Sequence, residues 1–333
     1  MEELPIAIIP DVTNWSENFA FAGFDPDAGI ELFCHIGRWR RDLNLWREVV
    51  SIALPDGSIL VHRGIGDARA TPRGPGGSNL QIEIIDPDRA SMEVRFYGSA
   101  RRVPEAELFE RNLEESPHYR LRFNLSYVGV APKWDLSKVG HQSEFMGAGH
   151  VEQMGRLSGV IELGERRFNY DTLINRDHSR GPRVFDSNIR HSWLQGYLND
   201  GLMFQLYEAE VTGKVGPAYS EANVVENGVP CDAKVTILDK LPFNNNRDLI
   251  RAPVRIHFEY SNKSLEVTAT EFVRTISMQS TSPNDMYLGR RQVDDAQNTT
   301  VVEQGVRYRS ADGRTGYGHM ERLVPGKLLV DPL

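Results

Sequence analysis

Cysteine is almost absent from the chain: Cys34 and Cys231 stand alone and far apart. That excludes a disulfide framework and a clustered zinc pattern. Positive charge is also in deficit, with 38 Lys and Arg against 46 Asp and Glu and a net charge of -8. The basic residues are scattered, so a nucleic acid is not the expected partner. No apolar run is long enough to span a bilayer, which leaves no integral membrane segment. The first residues, "MEELPIAIIPDVTNW", carry acids where a secretion signal needs bases, and their apolar run breaks at Pro10. A cytoplasmic location is the expectation. Also missing are a Gly-x-Ser-x-Gly elbow, a Gly-x-Gly-x-x-Gly turn after a strand and a phosphate-binding Walker sequence. Cys34 precedes His35, but neighbours in a strand point to opposite faces, so the two do not form a nucleophile–base pair.

Helix signals are few; "PEAELFERNLEE" (104–115), with Pro104 suited to a first turn, is the best of them. Strand signals dominate. In "HYRLRFNLSYVGV" (118–130), Tyr119, Leu121, Phe123, Leu125 and Tyr127 alternate with polar residues, the pattern of a half-buried antiparallel strand. "SMEVRFYGSARR", "LMFQLYEAEV" and "VRIHFEYSNKSLEVTATEFV" behave alike, and Pro55-Asp56-Gly57, Asn199-Asp200-Gly201 and Asp312-Gly313 supply turns. The Gly/Pro-rich 63–79 and the polar 281–300 read as loops. With 333 residues and 40% apolar content, the chain can fill a large core, and its class is mainly β.

An internal echo divides it. "GAGHVEQ" (147–153) and "GYGHMER" (316–322) share Gly-x-Gly-His-x-Glu at about half the chain length, which suggests a duplication with each lobe ending in this strand. The expected lobes are 1–165 and 166–333. In a strand, residues two apart share a face, so His150 projects with Glu152 and His319 with Glu321. Charged side chains directed into a sheet interior must be paired, so these are either core networks or site residues. A metal held by one such pair with His178 or His191 is a further possibility for imidazole and carboxylate donors.

"TLINRDHSRGPRV" (172–184) concentrates Arg176, Asp177, His178, Arg180 and Arg183 between two strand-like runs. An exposed turn would tie Asp177 to its neighbouring arginines. The flanking Phe168, Tyr170, Phe185 and Trp193 favour a partly buried corner at the entry to the second lobe, where a desolvated carboxyl could give up a proton. His178 would tune or relay it.

The run "HVEQMGRLSGVIELGERRFNYDTLINRDHSRGPR" resembles the signature of a bacterial lipocalin-like superfamily of two-lobed proteins, and "NWSENFAFAGFDPDAGIELFCHIGRWRRDLNLWR" and the terminal "GYGHMERL" are similar to its other ends. That superfamily includes the carotenoid 1,2-hydratases and kievitone hydratase-like enzymes, with fungal Diels-Alderases and tocopherol cyclases as distant relatives. The resemblance implies two calycin-type antiparallel β-barrels or half-barrels, an apolar cavity near their junction, and a hydrophobic small-molecule substrate handled without an organic cofactor. One position departs: where relatives carry Trp after the Ser of "RDHS", this chain has Arg180, which bears on the shape and charge of the site.

The expected activity is hydration or cyclisation of an isoprenoid-like alkene, begun by protonation in a dry pocket. Asp177 is the expected general acid, with His178 adjusting it and Glu152 or Glu321 orienting water. Trp193, Tyr197 and Tyr317 are candidates to face the cation or fold the substrate, beside His150, His319 and Arg176. Two rivals stand: a non-catalytic carrier of a lipid, steroid or polyene, and a metal-dependent enzyme built on the His-x-Glu strands.

Overall fold

The computed structural model describes residues 3–67, 73–107, 115–138, 149–182, 189–211, 216–239, 251–280, 286–287 and 299–325. Strands β1 (Trp15–Asp25), β2 (Ile30–Trp39), β3 (Asp42–Ala53), β4 (Ser58–Asp67), β6 (Ser91–Pro104), β7 (His118–Gly129), β9 (Gly149–Leu163) and β10 (Arg166–Pro182) follow one another around a closed antiparallel barrel. Two short strands attach to it, β5 (Leu80–Asp86) on β6 and β8 (Trp134–Asp135) on β9. A second closed barrel takes β11 (Ile189–Leu198), β12 (Met203–Val211), β13 (Tyr219–Glu226), β14 (Val229–Ile237), β15 (Val254–Tyr260), β16 (Lys263–Ser280), β18 (Thr299–Ser310) and β19 (Thr315–Pro325), with β17 (Met286–Tyr287) on β16. The chain is thus a double barrel of calycin type, as the resemblance implies.

The alternating runs form strands because each has a core waiting on one side. Leu121, Phe123, Leu125 and Tyr127 of β7 enter the first barrel's core, and Phe204 and Leu206 of β12 enter the second's. The three expected turns join β3 to β4, β11 to β12 and β18 to β19, with Gly57, Gly201 and Gly313 in the left-handed region. Of the expected helix, Glu105–Glu107 is a single 3-10 turn and 108–114 lie outside the described residues. The expected loop at 63–79 begins as strand, since β4 runs to Asp67. Within 281–300, most of which lies outside the described residues, Met286–Tyr287 form β17.

The expected division at 165/166 cuts through the first barrel. β10 hydrogen-bonds to β9 over Arg166–Arg180 and to β1 over Asn175–Pro182, so the change of sheet falls between Pro182 and Ile189. The charge-dense stretch is therefore the strand that closes the first barrel rather than an entry corner to the second. Its last members, Arg183 and Phe185, lie outside the described residues. The internal echo also falls on unlike places, because β9 is the seventh strand of its barrel in chain order and β19 the eighth of its own.

The two barrels meet face to face. Ala22, Phe33, Val49 and Val61 from the first pack with Trp193, Tyr207, Ile276 and Leu323 from the second in one buried apolar cluster. Close approach at this junction needs a glycine: a Cβ on Gly305 of β18 would lie 2.7 Å from the Phe24 ring and 2.8 Å from the Glu31 carboxylate of the facing barrel. No helix among the described residues is long and apolar enough to cross a membrane.

Candidate active site

The face of each barrel that meets the other carries a set of buried ionisable groups. On β9 and β10 these are His150, Glu152 and Asp177, and Glu152 and Asp177 are direct cross-strand partners. Two carboxylates so placed repel unless a proton or a cation lies between them. His150 supplies the neighbouring group, its Nε2 2.8 Å from Glu152 Oε1 and 3.4 Å from Asp177 Oδ1. The Asn175 amide donates to the other oxygen of Glu152. Glu152 is 1% exposed, whereas the Asp177 side chain keeps 15% exposure and with it contact with solvent. Burial pushes the Glu152 carboxyl up to about 8, with the Glu321 charge adding to it, against the Trp193 indole, the Asn175 amide and Arg176. At neutral pH Glu152 is a protonated acid in a dry place.

On the second barrel, Glu303 of β18, Glu321 of β19, Trp193 of β11 and Tyr207 of β12 form one continuous cross-strand rung. Glu321 contacts His191 Nε2, whose Nδ1 lies 3.0 Å from the Tyr207 hydroxyl. Burial works against the Glu321 carboxylate, but the His191 contact outweighs it and keeps its pKa low. Glu303, fully buried and facing the Glu321 charge, is held protonated well above the usual carboxyl range. The two glutamates thus divide one proton. His319 sits between Glu303, 2.8 Å from Nε2, and Glu31 of β2 in the first barrel, which meets Nδ1. Burial alone would make it neutral, yet the Glu31 charge on one side and the hydrogen bond to Glu303 on the other raise it to about 10. An imidazolium is therefore clamped across the junction. Gly318, from the echo, sits where a Cβ would lie 2.0 Å from the Gln195 carbonyl oxygen, so it allows β11 to lie close beside His319.

Expected site residues divide between two faces. His150, Glu152, Asp177, Trp193, His319 and Glu321 all face the junction. Tyr197 and Tyr317 meet there as well, their rings tilted by 37° with centroids 5.7 Å apart, among Met154, Met203 and Val225 at one edge. Arg176 and His178 do not join them. They alternate with Asp177 along β10 and point into the first barrel, so His178 does not lie beside the Asp177 carboxyl as its assumed relay. His178 lies 3.5 Å from Glu17 and stacks on Phe19 with centroids 3.9 Å apart, while Glu17 accepts from Arg38 at 2.8 Å. Arg176 is held by both oxygens of Glu3, at 2.8 and 2.7 Å, and by Gln153 at 2.9 Å. These contacts pin the N-terminal segment across the barrel.

Glu31 and Glu303 were not among the expected residues, although the sequence carries a signal for each. Both are charges embedded in apolar strand, "GIELFCHI" and "TTVVEQGV", and a buried charge needs a partner. Which partner was not legible, because Glu31 and His319 are joined only by the docking of two barrels. Among the described residues, His150, Glu152 and Asp177 also form a group whose donor atoms lie within 4.8 Å of one another, close enough to hold a metal ion.

Comparison with known proteins supports the architecture. Residues 7–325 match the model of a family described as a domain of unknown function, DUF7064. No curated protein matches the sequence. Among solved structures, one described as a candidate AttH from Nitrosomonas europaea superposes with a TM-score of 0.58 at 11% identity, covering 92% of this chain and 91% of that one. CghA gives 0.58 at 10% identity over 97% and 95% of the two chains. Kievitone hydratase from Nectria haematococca gives 0.50 at 9% identity over 97% and 95%. Identities this low establish a shared fold.

Proposed function

The chain belongs to the DUF7064 family, whose description assigns no activity, and we propose that it is a cofactor-independent acid–base enzyme, a hydratase or cyclase of a hydrophobic isoprenoid-like alkene. The observation that carries this reading is Glu152: a carboxyl 1% exposed, 2.8 Å from His150 and beside the Trp193 indole, which burial raises to about 8 while the neighbouring Glu321 is kept low. Titratable neighbours driven to opposite protonation states are the mark of an acid and its matching base. Kievitone hydratase, which shares the fold, fits a hydration.

In the proposed reaction the Glu152 carboxyl gives its proton to an alkene carbon, and the cation develops against Trp193. Water adds to the cationic carbon, its surplus proton passes to the Glu321 carboxylate, and Glu321 gives that proton back to solvent through His191, with which it is in contact. Asp177, which reaches solvent, reloads Glu152 through His150, whose Nε2 lies between them. Asp177 becomes the proton entry rather than the acid itself. The two unpaired cysteines support a reducing compartment, the cytoplasm.

The test is incubation in deuterated water with a panel of isoprenoid and polyene alkenes, read by mass spectrometry. Wild type should place deuterium on carbon or add the mass of water, Glu152→Gln should lose this by at least about 100-fold, and Asp177→Asn should slow it while retaining some turnover. If alkenes bind equally to all three and none is altered, the protein is a carrier.

The grouping of His150, Glu152 and Asp177 favours a second reading, a divalent ion held by one imidazole and two carboxylates. Metal analysis of fresh protein distinguishes the two. Stoichiometric metal, lost in His150→Ala, would make Glu152 a ligand and displace the acid mechanism.

A further inference from the structure

The junction carries buried hydrogen-bonding capacity that the proton-transfer groups do not use. Gln195 of β11 and Gln205 of β12 are direct cross-strand partners facing the first barrel, at 0% and 2% exposure. Neither Oε1 has a hydrogen-bond partner among the described residues, and the same holds for Oδ1 of the buried Asn175. The three amides are neighbours: Gln195 Nε2 donates to the Ala22 carbonyl at 3.1 Å, and Ala22 is the cross-strand partner of Asn175. For Gln195 the assignment of ends is fixed chemically. A main-chain carbonyl only accepts, so the nitrogen belongs against Ala22 and the oxygen is the end left open.

Buried acceptors without donors are rare because each forfeits its hydration. Three of them in one place, on both walls of the junction and touching the acid through the Asn175–Glu152 contact, form a receptor that lacks a donor. Resting on the reading of this junction as the substrate site, we infer that the ligand is an oxygenated alkene whose hydroxyl shares its one proton between the cross-strand Gln195 and Gln205 side-chain oxygens, and not a plain hydrocarbon. Gln195 lies two residues from Trp193, whose cross-strand partner is Glu321. At strand spacing that separation is about 7 Å. The hydroxyl therefore sits roughly 7 Å along the molecule from the carbon that reacts, and the amides set which double bond meets the acid. A carbonyl or ether oxygen alone would face these acceptors without a proton to share, and is disfavoured.

The test is equilibrium binding, without turnover, of matched pairs that differ only in the donor: farnesol and its methyl ether, and a prenylated phenol and its methyl ether. Wild type should bind at least one alcohol or phenol about tenfold tighter than its ether. In Gln195→Leu, which keeps the volume and removes the acceptor, the ratio should fall to within about twofold. Gln205→Met serves the same purpose should the first variant unfold, and thermal unfolding of both shows which is native. Equal binding of alcohol and ether by wild type, a ratio that survives both substitutions, or binding of no member of any pair would overturn the inference and leave the amides to bound water. Protein that shows the preference but incorporates no deuterium sinks the catalytic reading alone. Deuterium incorporation with no donor preference sinks this one alone.

Discussion

His319→Leu is expected to lose about 3–5 kcal/mol of stability, the largest effect of any single substitution at the junction. The substitution takes away the cation that faces Glu31 and the hydrogen-bond partner of the protonated Glu303, both fully buried, and the core cannot hydrate what is left. The loss should depend on pH. His319 is raised in the folded protein to about 10 from an ordinary 6.5, so its stabilisation is complete below pH 6.5 and is lost as pH rises through 10. Glu152, raised from 4.5 to about 8, acts in the same direction over a lower window: its contribution is complete below pH 4.5 and gone above about 8. Wild type should therefore become steadily easier to unfold by denaturant between pH 7 and 10. His319→Leu should start lower and show a shallower alkaline decline. Parallel curves for the two proteins would mean that His319 is neutral in the fold and that the clamp is misassigned.

Turnover should fall as pH rises through about 8, because the reactive form of Glu152 is the protonated one. Glu152→Gln cannot donate a proton, and a reduction in kcat of about 10² to 10⁴ is expected, with the alkaline limb of the profile gone from whatever activity remains. Its fold should survive, since a glutamine keeps the size and neutrality of the protonated side chain and can still meet Asn175 and Trp193. A pH–rate profile with its alkaline limb unmoved in a partly active variant would assign that limb to another group. The Glu303–Glu321 pair, which already divides one proton, would be the next to test.

The fold was legible because its signals are local. Period-two alternation in β7 and β12, and the turn glycines Gly57, Gly201 and Gly313, are properties of a few adjacent residues. Site residues were legible in part for the same reason. His-x-Glu at two-residue spacing is enough to put His150 with Glu152 and His319 with Glu321 on common faces. The same rule, applied to Asp177 and His178, separates them, and the resemblance to "RDHS" proteins obscured that. What lay beyond reach was everything that docking creates. Glu31 is 288 residues from the imidazole it contacts, and nothing in either strand announces the other. The division at 165/166 failed because the echo of Gly-x-Gly-His-x-Glu marks different strands in the two barrels, so it does not locate the seam.

β10 has one side inside the first barrel and the other on the junction, and the two sides carry different work. A saturation scan across 173–179 should read as a sawtooth. At Ile174, Arg176 and His178, variants would be lost to poor expression and proteolysis. At Asn175, Asp177 and Ser179, they would accumulate as intact protein with altered output. Selection can then retune the chemistry along this strand by moving in steps of two, without touching the residues that keep the barrel closed.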